Sequence, residues 1–328
     1  MLKSRNPDVV KILGICDPHF AAHNPASYKG TQNYLEVLTA SVRRVFKYAS
    51  KEEADAVVWA GDIFHLKAAS RNPLWFLAKM FKLMLEVKQQ GMANVGIAGN
   101  HDLKYGSLAG LGGQPLELLV YAGAYGLLDH ERLEIDAGSF EVTIGGQSFN
   151  HGSCKELLDV PKLKTRWSLG VGHFWFGTQS GELFGEPIFG PDALDRGPWD
   201  AYLIGHHHVD QGCQYIGKKH YLSPGSITRT GVHKDDLQRR PAAVFVTFTQ
   251  DEITPQMLRP TVPEPDDIFD LTVRQQVLEE RERIEEFMHS LTNFQLATSD
   301  PAQMLAEMNV LKEVRDRTLE YLEKADAD

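Results

Sequence analysis

The sequence predicts an α/β protein built on a mainly parallel sheet. Two observations carry that prediction. Short apolar runs of strand length alternate with longer amphipathic stretches through the first hundred residues, the strand–helix–strand order that favours a parallel sheet. Each run ends in a small cluster of Asp, Asn, His and Gly, and in open α/β sheets that carboxyl edge is where ligands bind.

The first run, Val9 to Cys16, ends in Asp17-Pro18-His19. Residues two apart on extended chain share a face, so Asp17 and His19 point together. From Asn33 to about Lys51, apolar residues at three- and four-residue steps (Leu35, Leu38, Val42, Phe46) predict an amphipathic helix. Ala56–Ala60 is the second strand and runs into Gly61-Asp62. Leu74 to Val87 is expected to be helical, with Leu74, Leu77, Phe81 and Leu85 on one face. Asn94–Ala98 is the third strand, ending in Gly99-Asn100-His101-Asp102. A glycine-rich loop and a helix over Leu116–Leu128 follow. Residues 132–152 read as a β-hairpin marked by Gly145-Gly146. Ser168–Gly172 is a strand ending in His173. Residues 174–200 form a long loop-like segment that is either an ordered surface excursion or a specificity lid. Ala201–Ile204 is a strand ending in Gly205-His206-His207-His208, where His206 and His208 share a face and His207 turns away. Tyr221–Ser226 is a tight turn near a strand end, and Ala242–Thr249, Ile253 and Met257 are expected to be antiparallel strands completing a second sheet.

A boundary is expected in the Pro- and acid-rich stretch Pro260–Asp267, dividing a domain over 1–262 from a small helical region over 263–328. There Thr272 and Gln275 form a capping box, and Asp300-Pro301 opens a second helix. The pair is a helical hairpin packed on the main domain or a docking surface for another protein.

Composition bounds the function. At 328 residues, 42% apolar and 24% charged, the chain has ordinary globular content. The formal charge of −10 argues against a generally basic nucleic-acid surface, although bound dications supply local positive charge that residue counting omits. No apolar run approaches the roughly 18 residues of a membrane span, and the N-terminus lacks the features of a signal peptide; a cytoplasmic protein without membrane contact is expected. Cys16, Cys154 and Cys213 are widely spaced and read as reduced thiols.

The ordered set DxH, GD, GNHD, GH and GHxH, all at strand ends, is a metal-site pattern. It resembles the calcineurin-like metallophosphoesterase superfamily over roughly residues 10–230. The resemblance implies a four-layer αββα sandwich and a two-metal centre. Carried over by position, Asp17, His19, Asp62 and His208 would hold one cation, and Asp62, Asn100, His173 and His206 the other. Carboxylate and imidazole donors without thiolate suit Mn²⁺ or Fe better than a structural Zn²⁺ site, with Mg²⁺ a further candidate. Two adjacent cations polarise a phosphate and acidify water. His101 beside Asn100 is expected to steady developing charge or protonate the leaving alkoxide, and Asp102 to orient His101 by a hydrogen bond.

Within the superfamily, GDIFH followed by LKAASRNP and a helix is similar to the nuclease branch containing Mre11 and the bacterial and phage SbcD subunits. His65 matches that branch's histidine, implicated in placing the DNA phosphate or strand end, and SPGS with Arg229 close behind resembles its turn after the last ligand strand. The resemblance implies a Mn²⁺-dependent DNA exonuclease in repair or recombination, with endonuclease activity as a further expectation. Its expected partners are DNA, an SbcC/Rad50-like ABC-type ATPase and a second copy of the chain. The alternative is a metallophosphoesterase acting on a small phosphodiester, nucleotide or phosphoprotein.

Overall fold

The computed structural model describes residues 1–272 apart from 130, 184, 185 and 233. Met1–Phe269 form one compact unit, and Asp270 begins a second. The capping box over Thr272 and Gln275 and the helix opened at Asp300 fall largely on residues 273–328, outside the described residues.

In chain order the compact unit contains β1 (Leu2–Lys3), β2 (Val9–Ile15), α1 (Tyr34–Lys51), β3 (Ala56–Ala60), α2 (Leu74–Gln89) and β4 (Ala93–Ile97). It continues with α3 (Pro115–Tyr121), β5 (Gly126–Leu127), β6 (Leu133–Asp136), β7 (Glu141–Gln147), α4 (Lys155–Leu158) and β8 (Trp167–His173). Next come β9 (Trp175–Phe176), β10 (Gly181–Leu183), β11 (Glu186–Phe189), α5 (Pro191–Leu194), β12 (Ala201–Gly205), β13 (Gly212–Ile216) and β14 (Lys219–Ser223). The unit closes with α6 (Lys234–Gln238), β15 (Ala243–Thr249), β16 (Ile253–Leu258) and α7 (Pro265–Ile268).

Two sheets form the centre. One has six strands in the order β16-β15-β2-β3-β4-β5, and the other seven in the order β1-β6-β7-β8-β12-β14-β13. β3 shows why they stack. All five of its residues are buried, as in strands covered on both faces. Ala56, Val58 and Ala60 pack between the sheets with Ile144, Val171 and Leu203, while Val57 and Trp59 face the helices on the other side. That alternation is the two-residue period of a strand. α1, α2 and α3 cover the six-stranded sheet. α4, α5 and a third sheet, β10-β11-β9, cover the seven-stranded one around Leu157, Leu194 and Trp199. The αββα layering therefore holds, with an outer layer on the second sheet made of two short helices and three short strands.

α1 starts where Asn33 caps it, the side chain accepting the Leu35 N–H at 2.9 Å. Its buried stripe is the expected one. α2 differs: Phe76, Met80, Leu83, Met84 and Val87 are its buried face, and Leu74 is largely exposed. Both stripes have helical spacing, and the one with more bulk takes the sheet side. α3 stops at Tyr121 rather than Leu128, because Gly123 at φ +64° lets the chain turn out of the helix.

Two strand expectations are corrected. The hairpin over 132–152 exists as β6 and β7, but its turn lies between Asp136 and Glu141, and Gly145-Gly146 sit inside β7. They are glycines because neighbours press close: a Cβ at Gly145 would lie 2.6 Å from the Trp199 ring, and one at Gly146 2.5 Å from Ile97. β15 and β16 complete the first sheet, not the second, because β15 pairs antiparallel with β2 in the register Val244 to Gly14. The described residues of 174–200 include β9, β10, β11 and α5, regular elements where a loop-like segment is expected.

Candidate metal centre

The carboxyl ends of β2, β3 and β4 in one sheet and of β8 and β12 in the other face a common point. Asp17, His19, Asp62 and His206 lie there with φ of 49°, 44°, 49° and 91°, in the left-handed region that costs L-residues on the order of 1–2 kcal/mol. Such conformations persist only where the surroundings hold them. Here the Ser226 hydroxyl donates to the Asp17 carbonyl at 2.6 Å, and the His19 amide donates to the Asp62 carbonyl at 2.9 Å. The His206 amide donates to both Asp17 carboxylate oxygens at 3.1 Å. Gly99 gives way to the same crowding, since a Cβ there would lie 2.1 Å from Asp62 Oδ1.

Donor atoms of Asp17, His19, Asp62 and His208 all lie within 4.8 Å of one another. His19 Nε2 is 2.9 Å from His208 Nε2 and 3.3 Å from Asp62 Oδ2. The other Asp62 oxygen, Oδ1, is 3.5 Å from His173 Nε2. His173 Nε2 and His206 Nδ1 each lie 3.1 Å from Asn100 Oδ1 and 3.2 Å from each other. The seven expected ligands thus fall into two groups, with one Asp62 oxygen facing each.

This donor set fits cations. His173 Nδ1–H donates to the Ala60 carbonyl at 2.7 Å, which turns the Nε2 lone pair towards the Asn100 oxygen and His206 Nδ1. Lone pairs converging at such distances repel unless a positive charge sits among them. Burial, above all, holds His19 well below the usual imidazole range, His208 at about 4 and His206 at about 3. They are neutral at pH 7, the form in which an imidazole can donate to a cation. Burial alone would raise the Asp62 carboxyl, but His173, His19 and His101 hold it well below its ordinary value. Asp17 is pushed up to about 7 by burial, with Asp62 adding to the effect. Burial opposes protonation of His173, yet Asp62 and Asp17 raise it to about 9. Without cations the centre retains a proton where a metal would supply charge.

His101 and His65 flank the donors. The His101 amide donates to Asp62 Oδ1 at 2.8 Å, and its ring Nδ1–H donates to the His65 carbonyl at 2.8 Å. Nε2 is therefore its other ring nitrogen, and ring nitrogens of His101, His65 and His19 lie within 4.8 Å of one another. The rings of His65 and His101 stack 5.6 Å apart at 24°, and His65 lies 5.5 Å from the His19 ring. Burial, then His101, lowers His65 to about 4.

Asp102 does not orient His101. Its buried carboxylate accepts the amides of Ile63, Phe64 and Gly99 at 3.1, 2.9 and 2.9 Å, tying the GDIFH loop to the GNHD loop. The backbone carbonyl of His65 does the orienting instead. Arg229 is likewise internal: its guanidinium donates to the carbonyls of Asp236, Pro263 and Arg239. His207 turns aside as expected, its Nδ1 2.8 Å from the Gln211 amide.

Sequence reasoning missed Glu186 and Trp175. Glu186 Oε2 lies 3.1 Å from His206 Nε2, and the Trp175 ring stands 4.6 Å from the His206 ring. The three aromatics at 174–176 were the available signal for Trp175; nothing near Glu186 marked it.

A family model described as calcineurin-like phosphoesterase matches residues 10–210. No curated protein matches the sequence significantly. Among solved structures, one from Staphylococcus aureus provisionally described as a 5′-nucleotidase superposes with a TM-score of 0.52 at 14% identity, covering 83% of this chain and 58% of that one. The sulfate thiohydrolase SoxB of Thermus thermophilus has a TM-score of 0.44 at 14% identity, covering 80% of this chain and 59% of its own. The chain thus spans under two thirds of either protein's length.

Proposed function

Because the chain belongs to the calcineurin-like phosphoesterase family, we propose that it is a two-metal phosphodiesterase whose substrate is DNA. In this reading it is a nuclease of the Mre11/SbcD branch, working beside an SbcC/Rad50-like ABC-type ATPase in repair or recombination. Asp17, His19, Asp62 and His208 would hold one divalent cation, and Asp62, Asn100, His173 and His206 the other, with Mn²⁺ the favoured ion. When bound, such a pair neutralises phosphate charge and acidifies the attacking water.

The chain's own residues supply the rest. The His65 carbonyl fixes the His101 ring through Nδ1–H, which leaves Nε2 to carry the second proton of the imidazolium and give it to the leaving oxygen, the ring returning to its neutral form. The observation that carries the DNA reading is the neutral imidazole of His65 stacked on His101, within the GDIFH loop. A mononucleotide needs grip at one phosphate, whereas a strand needs a second contact beside the reacting one. Directly after the GNHD loop, Lys104 Nζ lies 5.1 Å over the exposed Tyr105 ring, the pairing of cation and aromatic face that binds single strands by stacking.

The test is digestion of end-labelled linear and closed circular DNA with Mn²⁺, run beside hydrolysis of bis(p-nitrophenyl) phosphate. The expected result is Mn²⁺-dependent nucleotide release from linear DNA. His65→Ala should lower DNA cleavage at least about tenfold while hydrolysis of the small ester survives. Ester hydrolysis with DNA left intact, with and without the ATPase, would contradict the proposal.

One observation favours a second reading, a small phosphodiester or nucleotide as substrate. β9 and β11 bring Trp175 and Glu186 against His206 and narrow that side of the centre. A panel of nucleotides and cyclic phosphodiesters separates the two readings.

A further inference from the structure

We propose that Glu186 is a positioning residue for the second cation, holding His206 in the one tautomer that can bind it. The inference rests on the two-metal reading above. It begins with the two nitrogens of His206. Nδ1 lies 3.1 Å from Asn100 Oδ1 and 3.2 Å from His173 Nε2, inside the donor group. Nε2 lies 3.1 Å from Glu186 Oε2, on the other side of the ring.

A neutral imidazole carries one proton. A carboxylate only accepts, so the contact is a hydrogen bond when that proton is on Nε2. With the proton on Nδ1, two lone pairs would meet at Nε2 and a proton would occupy the ligand position. Glu186 therefore selects the tautomer that leaves Nδ1 free, as carboxylates paired with metal-binding imidazoles do. His173 reaches the same end through the Ala60 carbonyl.

The fold delivers Glu186 by a route visible only in three dimensions. β9 follows ligand His173 after one residue, and β11 pairs parallel with it, Ile188 to Trp175 and Phe189 to Phe176. The small sheet is pinned from beneath. The Phe174 and Phe189 rings lie 5.2 Å apart, the Phe176 ring stacks 5.4 Å from Tyr221, and the Gln211 amide donates to the Phe176 carbonyl at 2.7 Å. On its outer side, Pro187 packs on Gly152 closely enough that a Cβ there would lie 3.0 Å away. Trp175 closes the remaining flank of the His206 ring.

The experiment uses the full chain as wild type, Glu186→Ala, and Glu182→Ala as a control for loss of one acidic charge on the neighbouring strand β10. Mn²⁺ binding is followed by electron paramagnetic resonance titration. The tautomer of His206 is read in the metal-free protein at pH 10, above the value of about 9 at which His173 loses the proton that would otherwise face His206 Nδ1, from imidazole ¹⁵N shifts assigned with His206→Gln. Melting in EDTA checks that each variant folds. Wild type and Glu182→Ala should bind two Mn²⁺ and show His206 with its proton on Nε2. Glu186→Ala should bind one of the two Mn²⁺ about 10–100-fold less tightly, keep the other unchanged, and show a mixed tautomer. Unchanged Mn²⁺ affinity or an unchanged tautomer in folded Glu186→Ala overturns the inference. Fewer than two Mn²⁺ on wild type overturns the two-metal reading instead, and the ¹⁵N spectrum still decides the Glu186 contact.

Discussion

Two parts of His101 perform separate tasks. Its backbone amide holds Asp62 Oδ1, and its ring, fixed through Nδ1 by the His65 carbonyl, presents Nε2. His101→Ala keeps the amide and removes the ring. It should therefore retain metal while kcat falls by about 10²–10⁴. Metal analysis alongside turnover checks this, and an empty centre would mean that the ring itself holds metal. At this scale the seven donors were legible because each follows a strand in the one-letter code. Asp102 misled because it adjoins His101 in sequence, whereas the turn from Gly99 points its carboxylate back at the Gly99 amide. Glu186 was illegible because its partner lies twenty residues away across a strand pairing that no local pattern announces.

At the scale of elements, the centre depends on how closely β3 and β12 approach. A Cβ on Gly205 would lie 2.2 Å from the Ala60 carbonyl and 3.0 Å from His173 Nδ1. The Ala60 carbonyl is the acceptor that orients His173, so widening this gap disturbs both sheet packing and a candidate ligand. Gly205→Ala should cost about 1–3 kcal/mol of stability, as overpacking does, and weaken Mn²⁺ binding together with it. Urea unfolding and metal titration measure the two. Loss of stability with unchanged Mn²⁺ affinity would show that the approach serves packing alone. The strand–helix alternation through β4 was readable because neighbouring elements in sequence are also neighbours in the sheet. β15 was not, since its pairing with β2 spans over two hundred residues. Gly145 and Gly146 were misplaced because glycine marks close packing as well as turns, and only Trp199 and Ile97 in position show which.

For the whole molecule, the buried cluster makes metal-free stability depend on pH in both directions. His65, His206 and His208 are held near 4, 3 and 4, chiefly by burial, against 6.5 in the unfolded chain. The unfolded chain takes up protons that the folded one refuses, so these groups add stability as pH rises to about 6.5. Asp17 and Asp102 are pushed up to about 7, first by burial, and His173 to about 9 by its acidic neighbours against the effect of burial. Those groups hold protons the unfolded chain releases, and their contribution is lost as pH rises through 7 and then 9. Below pH 6.5 the histidines outnumber the two carboxylates; above it only losses remain. Protein in EDTA should be most stable near pH 6.5, measured by urea midpoints from pH 4.5 to 9. A midpoint that climbs steadily from 6.5 to 9 would contradict the assignment. The stacking of two sheets was legible only through family resemblance, because no periodicity states which sheet a buried strand joins.

The central claim is that Asp62 is shared between two cations, with one carboxylate oxygen facing each donor group. Electron paramagnetic resonance of the Mn²⁺-loaded protein tests it most directly. Two exchange-coupled Mn²⁺ ions per chain, both absent from Asp62→Ala, are the predicted result. A single uncoupled ion in the wild type, or two ions still bound by Asp62→Ala, would contradict it.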